Sequence, residues 1–266
     1  MISIIGAGGI ENNYSWQKNP AKLKQLDNID LSFKQKEFKK IKRIDNYSKV
    51  SLLASEIARK TTDIPADQSH IKIGLITAMK YSPWENTLYF LKRVFNSNFK
   101  DKAPSFFPKT VLNYSAGIIC AAYNISSYAN TLTGRNAADL QALELAQILL
   151  ETNQLDYVEI ISGDYLSNDL AAKMNISRGY TSFSAVYLRK SIATDKDRYL
   201  TINSISSQIW RIEEELTIGD FEVYDIDQKA DSILKYILQT EKYGKYIFQN
   251  DGNIVGQIEL GENNDN

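Results

Sequence analysis

Short apolar runs alternate along the chain with longer segments in which apolar residues recur every three or four positions. The short runs predict strands over residues 1–5, 71–76, 128–133, 157–161, 183–188 and 199–205. The longer segments predict helices over residues 47–59, 84–95, 110–123, 137–151 and 228–241. Because strands and helices alternate, the sequence predicts an α/β fold.

Two segments carry more specific expectations. The run Gly6-Ala7-Gly8-Gly9 follows the first strand and predicts a tight turn. The predicted helix over residues 110–123 has no polar face, which indicates burial on nearly all sides. No linker divides the chain, so we expect a single domain over residues 1–260 and a flexible tail over residues 261–266.

Composition and charge limit the classes of function. The 266 residues are 43% hydrophobic and 24% charged, which is enough apolar material for a sizeable core. The net charge is −1, so the sequence gives no reason to expect nucleic acid or an anionic membrane surface as a partner. We find no secretory signal and no apolar run of about 18 residues, and we therefore expect a cytoplasmic protein with no membrane span.

The chain has one cysteine, Cys120, and one histidine, His70. A Cys-His-His active site and a zinc site of Cys and His ligands are therefore impossible within this chain. Cys120 lies in an apolar segment without neighbouring positive charge, which predicts a buried structural thiol. His70 belongs to no recognisable constellation, which predicts a surface position. We expect no metal and no cofactor.

Two motifs allow a functional reading beside a structural one. Gly6–Gly9 after a strand could cradle a nucleotide phosphate, but Glu11 stands where the dinucleotide fingerprint needs Gly or Ala, so we favour a plain turn. The basic run Lys34–Arg43 could dock an acidic partner, and a solvated face is the more frequent role of such a run.

Five segments, in this order along the chain, resemble β-ketoacyl synthases. They are residues 43–49 (RIDNYSK), 106–117 (FFPKTVLNYSAG), 133–143 (TGRNAADLQAL), 157–164 (YVEIISGD) and 178–188 (RGYTSFSAVYL). The resemblance covers residues 1–205 and leaves 206–260 unassigned. It implies a thiolase-like fold, with a mixed sheet layered with helices as in the N-terminal half of a ketosynthase, and with the C-terminal half of the full fold missing.

The resemblance also implies how the chain departs from an active ketosynthase. Alignment of Leu140–Leu143 places Asn136 at the position of the nucleophilic cysteine, and a carboxamide cannot form a thioester. The two histidines of the family have no counterpart here, since His70 lies far upstream. The chain is therefore similar to chain-length-factor subunits of type II polyketide, aryl polyene or flexirubin-type pigment synthases. Such a subunit is a non-catalytic partner of an active ketosynthase, and it meets acyl carrier protein through the complex.

The resemblance implies roles for particular residues. We expect Phe106 and Phe107 to reach the acyl tunnel of the partner, and Asn136 to cap the following helix. We expect the partner interface to include Pro108, Thr110, Asn113, Ala116, Gly117 and Thr131.

Two alternative functions remain open at this point. The first is an independent acyl- or nucleotide-binding α/β enzyme that uses Gly6–Gly9 or the acids Asp139 and Asp164. The second is a docking module for acidic carrier protein that uses Lys34–Arg43.

Overall fold

A computed structural model gives the fold of the chain. It describes residues 1–18, 22, 24–25, 44–65, 70–81, 83–134, 137–191, 200–206, 221–225, 233–240, 244–250 and 253–261. The strands are β1 Ile2–Glu11, β2 Tyr14–Gln17, β3 Lys24–Gln25, β4 Ile73–Met79, β5 Tyr128–Thr133, β6 Tyr157–Leu166, β7 Tyr180–Lys190, β8 Leu200–Ser206, β9 Phe221–Asp225, β10 Gly244–Asn250 and β11 Asn253–Gly261. The helices are α1 Asn46–Arg59, α2 Trp84–Asn96, α3 Tyr114–Tyr123, α4 Ala138–Glu151, α5 Asn168–Lys173 and α6 Ile233–Gln239, with a 3₁₀ helix at Phe107–Thr110.

One sheet contains all these strands, in the order β5-β4-β6-β7-β1-β8-β11-β10-β9, with the β2 and β3 strands beside β1. Strands β5, β4 and β6 are parallel, and β7 runs antiparallel to both β6 and β1. Strands β9 and β10 are parallel, and β11 runs antiparallel to both β10 and β8. The directions in β9-β10-β11-β8 therefore repeat those in β4-β6-β7-β1. The antiparallel pair of β1 and β8 joins the two sections.

Helices cover both faces of the sheet, as the predicted layers require. Helices α1 and α3 enclose one core against β4, β6 and β7, around residues such as Leu52, Ile119 and Tyr187. Helices α4 and α6 enclose the other core, in which Leu143 and Phe248 are fully buried. The α/β prediction and its layered mixed sheet are confirmed. Residues 206–260, which the sequence left unassigned, contribute β9 to β11 and α6 to the second section of the sheet.

The tight turn predicted at Gly6–Gly9 is wrong, because β1 continues through these residues to Glu11. The glycines serve close packing instead. A Cβ atom on Gly8 would lie 2.6 Å from the backbone nitrogen of Ala58 and 2.6 Å from Cγ2 of Ile57, both on α1. A strand with side chains at this point could not approach α1 so closely. A phosphate-binding loop is therefore not formed here.

The predicted helix over residues 110–123 is also corrected. Helix α3 begins only at Tyr114, because Pro108 lies in the 3₁₀ helix and Val111 after it is extended, with φ −87° and ψ 142°. Burial on nearly all sides is wrong as well. Ser115, Ala116, Ile119, Ala122 and Tyr123 are buried, whereas the opposite face of the helix is open.

A buried charge cluster lies between α1, α3 and the sheet. The guanidinium carbon of Arg59 lies 4.2 Å from the ring centroid of Tyr123 and 5.5 Å from that of Tyr187. Desolvation raises the pKa of the fully buried Glu159, and the nearby Arg59 offsets part of that shift. The Tyr123 hydroxyl donates to Oε2 of Glu56 at 2.6 Å. These contacts join α3 to α1.

We predict that Gly8→Ala lowers the free energy of unfolding by about 1–3 kcal/mol, because the added methyl group overlaps the α1 backbone. Urea denaturation measures the change. Gly117→Ala is the matched control, since nothing lies within 4 Å of a Cβ atom at Gly117. It lies within α3, where alanine favours the helix by up to about 1 kcal/mol over glycine. Equal stability of Gly8→Ala and the wild type would contradict the close-packing argument.

Candidate functional site

The main candidate site is a groove between α3, β5 and the extended segment before α3. We call it the edge groove. Its lining residues are Thr110, Val111, Leu112, Asn113, Ala116, Gly117, Cys120, Ile125, Ser126, Tyr128, Ala129, Asn130 and Thr131. Ala116 is 2% exposed and forms part of its floor, whereas Val111 and Leu112 are 40% and 47% exposed. The groove thus combines small and apolar side chains with polar ones such as Asn113, Asn130 and Thr131.

Strand β5 forms one wall of the groove and lies at the end of the strand order. Its one partner in the described part of the sheet is β4, so its other edge is open. The hydroxyl of Thr131 on β5 lies 2.9 Å from that of Thr77 on β4, and this hydrogen bond helps to hold β5 against β4. The sequence YANTLT contains no charged residue and no proline. Open edges are usually protected by such residues, so this edge is suited to contact with another chain.

The segment before the groove holds its two phenylalanines differently. The Phe106 ring lies 4.8 Å from the ring of Tyr89 on α2, with Arg93 and Lys109 over its face at 5.4 Å and 5.0 Å. Phe107 lies 5.9 Å from the ring of Phe90 and remains 58% exposed. Phe106 is thus packed within the chain, whereas Phe107 projects from the surface.

The structure brings most of the predicted interface residues together. Thr110, Asn113, Ala116, Gly117 and Thr131 all line the edge groove. Pro108 is exposed in the 3₁₀ helix and does not line it.

Sequence reasoning missed Val111 and Leu112, because it assigned them to a buried helix. Their position after Pro108 and Thr110, at the end of the 3₁₀ turn, is the signal that could have separated them from α3.

Two predicted features fall outside the described residues, namely Asn136 and the basic run Lys34–Arg43. The structure places the N-cap position of α4 at Ala137, which supplies no capping side chain.

The two acids proposed for an independent enzyme are buried acceptors of hydrogen bonds. Asp139 accepts from the Ser162 hydroxyl on β6 and, at 3.2 Å, from the backbone nitrogen of Leu234 at the start of α6. Asp164 accepts from the backbone nitrogens of Lys80 and Tyr81 at 3.0 Å and 2.8 Å. Each carboxylate joins two separate elements of the fold, and neither faces the edge groove.

The one thiol is held in its neutral form. Cys120 is half-buried on α3, and burial together with the charge of Glu159 raises its pKa to about 11. A nucleophilic cysteine needs the opposite shift. His70 is exposed, as predicted. In the described part of the chain, no group of three His, Cys, Asp or Glu side chains is placed to hold a metal ion.

Solved ketosynthase structures share this fold. The ishigamide ketosynthase/chain length factor matches with a TM-score of 0.72 and 11% identity, over 97% of this chain and 98% of that chain. A type II polyketide acyl-carrier protein in complex with its ketosynthase bound to the hexaketide matches with a TM-score of 0.69 and 12% identity, over 98% of both chains. A ketosynthase in complex with its chain length factor from Xenorhabdus doucetiae matches with a TM-score of 0.58 and 12% identity, over 91% of this chain and 84% of that chain.

These matches define the class of fold as that of ketosynthases and chain length factors, and they confirm the thiolase-like fold that the sequence motifs predicted. No protein-family profile and no curated protein matches the sequence. Among the described residues, no helix is both long enough and apolar enough to cross a membrane.

We predict that Cys120 reacts slowly with iodoacetamide. With a pKa of about 11, about one thiol in a thousand is ionised at pH 8, against roughly a quarter for an unperturbed cysteine. Alkylation of the folded chain should therefore be at least about a hundredfold slower than that of the chain unfolded in urea. Mass spectrometry follows the reaction. Similar rates in the two states would contradict the raised pKa of Cys120.

Proposed function

We propose that the chain is a non-catalytic, chain-length-factor-type subunit that pairs with an active β-ketoacyl synthase. The observation that carries the proposal is the edge groove, in which an unprotected edge strand meets an open face of small and apolar residues. The shared fold supports it, because solved structures with this fold include a ketosynthase in complex with its chain length factor.

The absence of catalysis by this chain is part of the proposal. The family motif aligns Asn136 with the nucleophilic cysteine, and the sequence contains one histidine where the family uses two. The raised pKa of Cys120 supports the same view, because it removes the one thiol as a substitute nucleophile. In the proposed complex, the ketosynthase subunit supplies the thiolate and the histidines.

The physical reason for pairing is the burial of apolar surface. Val111 and Leu112 lie beside Gly117, whose neighbourhood is open, so a partner side chain can fill the groove. Stable interfaces bury about 800 Å² per partner, and apolar area contributes about 25 cal/mol per Å² before the opposing entropy. We infer that Thr110, Asn113 and Thr131 contribute polar contacts at the margin of this interface.

The two phenylalanines then have different roles. Phe107, which is 58% exposed, is our candidate for the ring that enters the acyl tunnel of the partner. Phe106 anchors the segment through Tyr89 and positions Phe107. The substrates of the complex are acyl chains on acyl carrier protein, a partner that one of the similar structures also contains.

We predict that Gly117→Trp abolishes assembly with a co-expressed ketosynthase. The indole would fill the groove in which the partner packs, and the isolated chain has open space at this position. Size-exclusion chromatography with mass analysis should give a stoichiometric heteromer for the wild type and separate subunits for Gly117→Trp.

Ala172→Trp is the matched control for this experiment. It places the same side chain at an exposed small residue of a different helix, α5, and should leave the heteromer intact. Assembly of Gly117→Trp at the wild-type level would remove the edge groove as the interface. A wild-type chain that remains monomeric beside its ketosynthase would contradict the proposed function.

We predict that Phe107→Ala shifts the products of the complex toward longer chains. A ring that blocks a tunnel opposes extension by about 1–3 kcal/mol, which is roughly a 5- to 150-fold effect on partitioning between extension and release. Mass spectrometry of the products measures the shift. Phe106→Ala should chiefly loosen the segment that Phe107 occupies, and so reduce product uniformity. An intact Phe107→Ala complex with an unchanged product profile would exclude the ring from the tunnel.

A further inference from the structure

Helix α2 presents an exposed apolar face. None of its 13 residues is buried against the described part of the chain. Leu88 is partly buried and packs against the small core around Leu170. Trp84, Leu91 and Phe95 are 54%, 38% and 56% exposed. Their spacing of seven and four residues places these three side chains on one face of the helix.

Phe99 extends this face beyond the end of α2. Its ring is 64% exposed and lies 5.3 Å from the ring of Phe95, in an edge-to-face arrangement. The backbone at Asn98 and Phe99 is left-handed, with φ of 48° and 63°, a conformation that is uncommon for an aromatic residue. Two aromatic rings side by side on the surface form a patch that water solvates poorly. We use the name apolar stripe for Trp84, Leu91, Phe95 and Phe99.

The segment that carries the apolar stripe is basic, although the net charge of the whole chain is −1. Residues 80–109 contain six Lys or Arg and two Asp or Glu. Two of these bases, Lys100 and Lys102, follow Phe99 directly and are exposed. The overall charge, which gave no reason to expect an anionic surface as a partner, therefore conceals a local positive region.

Ion pairs leave this positive region in place. Arg93 lies 2.6 Å from Asp101, which is one of the two acids of the segment. Lys92 lies 3.7 Å from Asp169 on α5, and Lys173 lies 2.6 Å from the same carboxylate. Because Lys173 balances Asp169, the contact with α5 does not reduce the excess of positive charge.

We propose that the apolar stripe and the basic residues beside it bind the surface of an anionic lipid membrane. The rings enter the boundary between head groups and acyl chains, and the ammonium groups contact the lipid phosphates. With 13 residues, α2 is about 20 Å long, so it lies in the plane of the membrane surface and does not span the bilayer.

The shape of the stripe favours lipid over a protein partner. Its side chains project from the convex surface of a helix, and fluid lipid adapts to such projections. A protein partner would need a groove of complementary shape. The inference does not depend on the proposed function, because the apolar stripe shares no residue with the lining of the edge groove.

The test is co-sedimentation of the full-length chain with vesicles of equal parts phosphatidylcholine and phosphatidylglycerol. We expect saturable binding that weakens as sodium chloride is added, because salt screens the lysines. Vesicles of phosphatidylcholine alone should bind about tenfold more weakly, since they lack anionic head groups. Failure of the wild type to bind the phosphatidylglycerol vesicles would overturn the proposal.

Phe95→Ala should weaken vesicle binding by about tenfold, because a ring that enters the membrane is lost. Ile148→Ala is the matched control, since Ile148 is 51% exposed on α4, and it should bind as the wild type does. Lys100→Glu should weaken binding by roughly 5- to 30-fold. Its control is Lys72→Glu, at the opposite end of β4 from α2. Wild-type binding by both Phe95→Ala and Lys100→Glu would exclude this surface.

An acidic protein is the other kind of partner that a positive surface attracts. Immobilised poly-glutamate tests for it under the same conditions. If the wild type binds poly-glutamate but not the vesicles, and Phe95→Ala and Lys100→Glu lose that binding, the partner is an acidic protein and the membrane proposal is wrong.

Discussion

The close approach of α1 to β1 is the constraint on which both sections of the sheet depend. Strand β1 pairs with β7 on one side and with β8 on the other, so it belongs to both sections at once. A side chain at Gly8 would hold α1 away from the sheet by contact with Ala58. Helix α1 carries Arg59 and Glu56, which contact Tyr123 of α3. The position of α3, and with it one wall of the edge groove, therefore depends on the glycines of β1.

A second long-range contact joins the first section of the sheet to residues near the end of the chain. Asp139 on α4 accepts hydrogen bonds from Ser162 on β6 and from the backbone of Leu234 on α6. The carboxylate lies at the N-terminal end of α6, where negative charge stabilises a helix. Because Asp139 is only 8% exposed, loss of either donor would remove a hydrogen bond from a buried carboxylate. A residue whose type suggested acid–base chemistry thus has a structural function.

Periodicity predicted the elements whose environment is uniform along their length. The buried strand β4 and the amphipathic helix α1 are examples. It failed where tertiary contact overrides local preference. Gly6–Gly9 indicates a turn by local chemistry, yet its place beneath α1 requires a strand without side chains. Residues 206–260 gave only weak strand signals, although β10 and β11 are 7 and 9 residues long and pair with each other. Residues of the edge groove such as Gly117 and Thr131 were predicted from a family resemblance rather than from periodicity.

The buried carboxylates find hydrogen-bond partners within the chain, whereas the strand edge and the apolar side chains near β5 do not find theirs among the described residues. Asp139 and Asp164 have hydrogen-bond partners within the chain, and Cys120 has a raised pKa. What the described part of the chain leaves unsatisfied near β5 is an open strand edge and apolar side chains such as Leu112. Water solvates an open edge adequately but exposed apolar surface poorly, and a second chain can satisfy both together. The physical chemistry of this region therefore favours association with a second chain, as the proposed function requires.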